Sequence, residues 1–273
     1  MLRHHAGMLE LKAGPARVAI DPEAGGRVAQ LSVNGLDLLV GRTSPRANHP
    51  FGWGSYVMAP FAGRIRRGRF SFAGRDFALP PNLDQHAIHG VALDAGWTIE
   101  QADASTATLS CDFASPWPFG GGVEHRVALF EDRIEQHLTV RADRSMPAST
   151  GWHPWWRRNL DRGEPLVVDF DARAARMLAR DVDHMPTGEL VTSRAHPWDD
   201  CFIGVGTVTL RWPGALEIVV EHDCRCVVIY EPDHAVCVEP QTGPPDAWRL
   251  APHTSLVEPG RPITASTTWR WRR

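Results

Sequence analysis

The chain has almost no lysine. Among 273 residues Lys12 stands alone beside basic side chains that are otherwise all arginine, and it lies in the N-terminal stretch. Lysine forms Schiff bases and completes the phosphate loop of P-loop NTPases, so imine-forming aldolases, pyridoxal enzymes and P-loop hydrolysis are poor readings. No uninterrupted apolar run reaches the roughly 20 residues that span a bilayer. Met1 to Leu11 lacks the ordered basic, apolar and small-residue sections of a secretory signal, so a soluble, cytoplasmic protein is expected. Charge of one sign is missing too: the formal net charge is −3 with signs mixed along the chain, which gives nucleic acid or an anionic membrane no broad basic surface. Cys111, Cys201, Cys224, Cys226 and Cys237 are an odd number at spacings that fit neither a disulfide framework nor a C-x-x-C pair, and are expected reduced and buried.

Helical periodicity is the next absence. Only Asp171 to Asp183, rich in Ala and Arg, predicts a few helical turns. What is present is short alternation punctuated by turn residues. Val28 to Val33 runs into Asn34-Gly35, and Phe70-Ser71-Phe72 runs into Ala73-Gly74, both hairpin signals. Val123, His125, Val127 and Leu129 alternate with more polar neighbours, Ile134 to Val140 follows at hairpin distance, Leu216, Ile218 and Val220 repeat the pattern, and Ile263 to Trp271 reads as a closing strand. The expected fold class is all-β, a large antiparallel β-sandwich. With no low-complexity linker, charge block or fixed-period repeat, residues 1–273 read as one domain.

Eleven tryptophans against two tyrosines supply flat apolar faces suited to amphipathic ligands such as sugars, although most indoles in a β protein are core. Prolines and glycines gather in stretches that read as loops: Ala78 to Asn82, Gly151 to Pro154 and Glu239 to Pro245. Titratable groups sit in or beside them: Arg64; His86 and His89; His153; Glu239 and Asp246; and, with Trp198, Asp199 and Asp200. Taken singly each has a structural explanation, a hydrogen-bonded histidine or a capping acid. The run Arg64, Arg66, Arg67, Arg69 reads, for all but Arg64, as a solvated, salt-bridging strand edge.

Taken together, these stretches resemble the aldose 1-epimerase (galactose mutarotase-like) family from about Val18 to the closing strand. Pro60-Phe61-Ala62-Gly63-Arg64-Ile65 is similar to the family's P-x-x-N-R-I segment, Ala87-Ile88-His89-Gly90 to its H-G loop, and Gly151-Trp152-His153-Pro154 to its G-x-H-P-Y-F segment. Met185 to Glu189 resembles its P-T-G turn, Asp199 to Phe202 its D-x-x-F, and Val238 to Asp246 its E-P-x-T-G-x-x-D-A loop. The resemblance implies a β-supersandwich whose open cleft binds a free monosaccharide, with His153 and Glu239 as catalysts and Arg64, His89 and Asp199 on the sugar's hydroxyls and ring oxygen. Such acid-base chemistry requires no metal and no organic cofactor; with the mixed charge, no nucleic-acid or membrane partner is expected, and a monomer or homodimer is. Two departures stand out: Gly63 where the family has Asn, and Trp155-Trp156 where it has a Tyr-Phe type pair. Both bear on which sugar binds rather than on the reaction type.

The residues alone support the same chemistry. Inverting an anomeric centre needs a base for the C1 hydroxyl proton and an acid for the ring oxygen, groups that then exchange roles, and a His-carboxylate pair meets that demand. Other readings use the same residues differently: a hexose-phosphate epimerase holding phosphate on Arg66, Arg67 and Arg69; a non-catalytic sugar-sensing module; a glycosidase using Glu239 and Asp199; a metal hydrolase on His86, His89 and His153; a Cys237 nucleophile with His234.

Overall fold

The computed structural model describes residues 7–47, 50–171, 175–250 and 256–272. The hairpins form where turn chemistry allows them. Asn34 and Gly35 both take positive φ (53° and 79°), as do Ala73 and Gly74 (50° and 73°), the backbone that matches the twist of a two-residue hairpin. The strands around them, Arg27–Val33 with Leu36–Asp37 and Arg69–Phe72 with Arg75–Ala78, pair antiparallel. Gly122–Leu129 and Arg133–Arg141 pair through Leu129 and Ile134, and Ile263–Arg272 closes against the latter.

Two antiparallel sheets carry the fold. The eight-stranded sheet runs, in spatial order, Thr98–Ala102, Thr106–Asp112, Gly122–Leu129, Arg133–Arg141, Ile263–Arg272, Leu216–His222, Thr207–Trp212 and Val167–Asp169. The eleven-stranded sheet has Gly151–Arg157 and Ala235–Gln241 side by side at its centre, with Ser55–Met58 beyond the first and Cys226–Tyr230 then Asp199–Ile203 beyond the second. Strand alternation sorts the residues of this sheet. Trp152 and Trp156, Val236 and Val238, and Phe202 face the main core, where Trp156 meets Trp269 of the other sheet at 4.7 Å between ring centres. The odd-numbered residues of the two central strands face away from that core, and a second apolar cluster holds Trp155, Ala235 and Cys237 with Tyr56 and Met58. The fold is the all-β sandwich expected.

Two expectations fail. Within Asp171 to Asp183, where a few helical turns were expected, residues 172–174 lie outside the described set and Arg176–Arg180 is a strand paired with Pro186–Thr192. Its Met177 and Leu178 are buried in different clusters, so sheet packing overrides the local helix preference. Gly151–Arg157 and Ala235–Gln241 are strands rather than loops. Pro154 and Pro240 hid this, because proline cannot donate to a ladder. The sheet accommodates both at one spot: pairing between the strands is made at Gly151–Gln241 and again at Trp155–Cys237, and lapses between.

Arg27, fully buried, fastens this sheet to its loops. Its guanidinium donates to the carbonyls of Ala24 (2.6 Å), Trp53 (3.1 Å) and Leu93 (2.9 Å) and lies 4.1 Å from the centre of the Trp53 ring. Arg27→Met, which keeps the apolar stem and removes the donors, is expected to leave three carbonyls unsatisfied and cost about 3 kcal/mol or more. Thermal unfolding should register this as a loss of roughly 6 °C or more.

Candidate active site

The sheet register builds the site in rows. His153 pairs with Tyr56 on one side, and the Gly151–Gln241 and Trp155–Cys237 pairs set it opposite Glu239 on the other. Glu239 in turn pairs with Val228, so Tyr56, His153, Glu239 and Val228 cross the sheet in a line. The neighbouring row is Trp155, Cys237, Tyr230 and Asp199. All of these except Cys237 line one cleft of about 350 Å³, at the small end of ligand pockets. Arg64 and His89 close it from a separate two-stranded ribbon in which Arg64 pairs with Ile88.

At the floor, His153 Nε2 lies 3.1 Å from Glu239 Oε1, and both side chains are almost wholly buried. Burial pushes Glu239 well above the usual carboxylate range; nearby Asp199 adds to this, while Arg64 and a hydrogen bond from Gln241 Nε2 (3.1 Å) oppose it. Burial pulls His153 down to about 3 against the lift of its own main-chain carbonyl, with Arg27 and Arg64 lowering it further. Both shifts favour the neutral forms of the pair, a carboxyl facing an imidazole. Aromatic rings fix the imidazole's plane: Tyr56 stacks at 4.8 Å and Trp155 at 5.1 Å, with His89 edge-on at 5.0 Å.

His89 has its tautomer set by the backbone. Its Nδ1 accepts from the Gly63 N–H at 3.3 Å, and its own N–H donates to the Gly63 carbonyl at 3.2 Å, which leaves Nε2 to carry the ring proton. Burial, then His153 and Arg64, hold it well below the usual histidine range, so it is a neutral donor. Gly63 has φ of 70°, and a Cβ there would lie 2.7 Å from the Pro245 ring, so this chain's glycine follows from that proline. Arg64 is tied at its carbonyl by the Asp246 N–H (2.7 Å), and among the described residues its guanidinium joins no ion pair. Asp199 lines the cleft held by Arg180 Nη1 at 2.8 Å, whereas Asp200 is buried and clamped by Arg180 and Arg194.

All five residues singled out from the sequence thus line one cleft. The other candidates do not join them. His86 accepts the Arg67 N–H at Nδ1 (3.1 Å) and lies outside the cleft, so His86, His89 and His153 do not form a ligand set. Arg66 is bound to Asp181 and Asp183, and Arg66–Gly68 is a single 3-10 turn rather than a strand edge. Cys237 is buried beneath the cleft with its thiol pushed well up, first by burial and then by Glu239. Tyr56, Tyr230 and Gln241 are cleft residues that sequence reasoning missed. Both tyrosines of the chain are among them, so the scarcity was itself a signal.

Because the fold raises its pKa, Glu239 contributes stability that is full below its ordinary value of 4.5 and is lost as pH rises through the folded value. Glu239→Gln is therefore expected to be more stable than the wild type at alkaline pH, with the gap narrowing toward pH 4.5. Thermal melts across this range check it; a gap independent of pH would contradict the raised pKa.

The aldose 1-epimerase family model matches residues 7–270. YphB of Escherichia coli K12, an uncharacterized protein, is 26% identical over 117 residues, 37% of this chain and 36% of YphB, so the matched stretch spans about a third of that relative. A galactose mutarotase-like protein from Clostridium acetobutylicum superposes with a TM-score of 0.82 at 17% identity, covering 97% of this chain and 95% of that one. The GalM/aldose epimerase homologue from C. elegans gives 0.83 at 15% identity, covering 98% and 99%. Those identities carry the fold and no more. With the family model matched along nearly its whole length, on a β-sandwich shared with galactose mutarotase-like proteins, this chain belongs to the aldose 1-epimerase family.

Proposed function

We propose that the protein is a mutarotase, interconverting the α and β anomers of a free aldose by opening and reclosing its ring. The observation that carries this reading is the His153–Glu239 pair, 3.1 Å apart and buried at the floor of a sugar-sized cleft. In the neutral forms that burial favours, the pair shares one mobile proton. In ring opening one partner takes the C1 hydroxyl proton while the other delivers a proton to the ring oxygen. The proton count of the pair is unchanged, and the reverse transfers close the ring after rotation about C1–C2. His89 Nε2–H, its tautomer set by Gly63 before substrate arrives, and the Arg64 guanidinium are donors for the ring oxygen and neighbouring hydroxyls, and such preorganised donors stabilise developing charge. Asp199, steadied by Arg180, is the acceptor for a sugar hydroxyl. Each step is balanced by protons alone.

Of the three arginines on which a hexose-phosphate variant would rest, Arg66 is already engaged by Asp181 and Asp183, which favours the free-sugar reading.

Glu239→Gln and His153→Asn are each expected to slow anomer interconversion by about 10²–10⁴-fold. Arg64→Ala should act mainly through a raised KM. Polarimetry or saturation-transfer NMR over a panel of free aldoses measures all three. Equal, mild effects would show the pair is not the reacting group, and no acceleration with any aldose would favour a sugar-sensing module.

A further inference from the structure

We propose that His153, Cys237 and Glu239 form a site for a borderline-soft divalent cation such as Zn²⁺, and that its occupation arrests the acid-base pair. One nitrogen, one sulfur and one oxygen donor lie within 4.8 Å of one another here, all three on buried residues. A tetrahedral zinc ion holds such donors at about 2.0–2.3 Å from itself and hence roughly 3.3–3.6 Å from each other. His153 Nε2 and Glu239 Oε1, at 3.1 Å, need to part only slightly, while the widest separation in the set, up to 4.8 Å, must close by about 1 Å through side-chain rotation.

The cleft supplies what else a zinc site needs. His153 and Glu239 line it, giving the ion a way in, and its open side leaves the fourth position for water. Binding is balanced: Zn²⁺ enters, the thiol and the carboxyl each release a proton to solvent, and thiolate, carboxylate and neutral imidazole leave the buried centre without net charge. Cys237 is the residue that separates this site from the catalytic one. Ring opening makes no use of sulfur, and among the described residues its thiol makes no hydrogen bond. It nevertheless sits on the cleft-facing side of its strand, two residues from Glu239 and paired with Trp155. A cation held there takes the lone pair of Nε2 and the carboxylate oxygen, so neither can move a proton.

The arrest, though not the binding, rests on the mutarotase reading, and the test keeps the two apart. Titrating the full chain with Co²⁺ alone should produce a thiolate-to-cobalt charge-transfer band in the near ultraviolet. Cys237→Ser, which preserves volume, and Cys237→Val should both lack it. In parallel, Zn²⁺ should slow wild-type anomer interconversion by about tenfold or more, reversibly with EDTA. Cys237→Val should keep the metal-free rate and require about 10–100-fold more zinc for the same inhibition. Absence of the band in the wild type, zinc sensitivity equal in wild type and both variants, or acceleration by zinc would each overturn the proposal. If no aldose is turned over, the mutarotase reading fails and the cobalt spectrum alone decides the site.

Discussion

The site depends on how two central strands share a ladder that prolines interrupt. Gly151–Gln241 and Trp155–Cys237 fix the register, and between them Pro154 and Pro240 lack the N–H groups that would continue it. A one-residue slip would send His153 and Glu239 into the main core and bring Trp152 and Val238 into the cleft. The same geometry that makes these strands hard to recognise locally holds an imidazole and a carboxyl face to face. The loop after Glu239 secures the arrangement: Thr242 exchanges hydrogen bonds with Thr150, and Asp246 ties the carbonyl of Arg64. In this chain the threonine and aspartate of the E-P-x-T-G-x-x-D loop are fasteners, and the glutamate is the part presented to the cleft.

Desolvation is the second constraint. An acid and a base at 3.1 Å in water would settle as an ion pair; on this floor burial drives both toward neutrality. Arg64 opposes that trend at Glu239 and reinforces it at His153, so one guanidinium acts with opposite sign on the two partners. Arg27, buried beneath Trp53 and Tyr56, adds to the pressure on His153 while serving the fold through three carbonyls. The fold therefore keeps a carboxyl in a state that costs stability as pH rises, a common condition of functional groups.

The sequence made the β class legible because hairpins such as Asn34-Gly35 need positive φ and announce it, and because alternation along Val123 to Leu129 is a property of single strands. Which residues meet is a property of pairs of strands, and no spacing reveals it. His153 and Glu239 came together in the reading only through a family's motifs, and Tyr56, 97 positions before His153, carried no motif at all. The Asp171–Asp183 stretch misled because alanine and arginine favour a helix locally, while the neighbouring strands Pro186–Thr192 and Asp199–Ile203 offered a sheet. The departure at Gly63 became intelligible only with Pro245 placed against it, since the two are far apart in sequence.

Were sugar rings opened in this cleft, the transient species there would be an open-chain aldehyde, the one form of an aldose that condenses with primary amines. Lys12, the single lysine, lies on Leu9–Ala13 at the far edge of the larger sheet, paired with Glu10 and separated from the His153 strand by three others. The basic side chains lining the cleft are instead guanidinium or imidazole groups. The cleft thereby offers basic groups that can donate hydrogen bonds but no primary amine with which an open-chain carbonyl could form an imine.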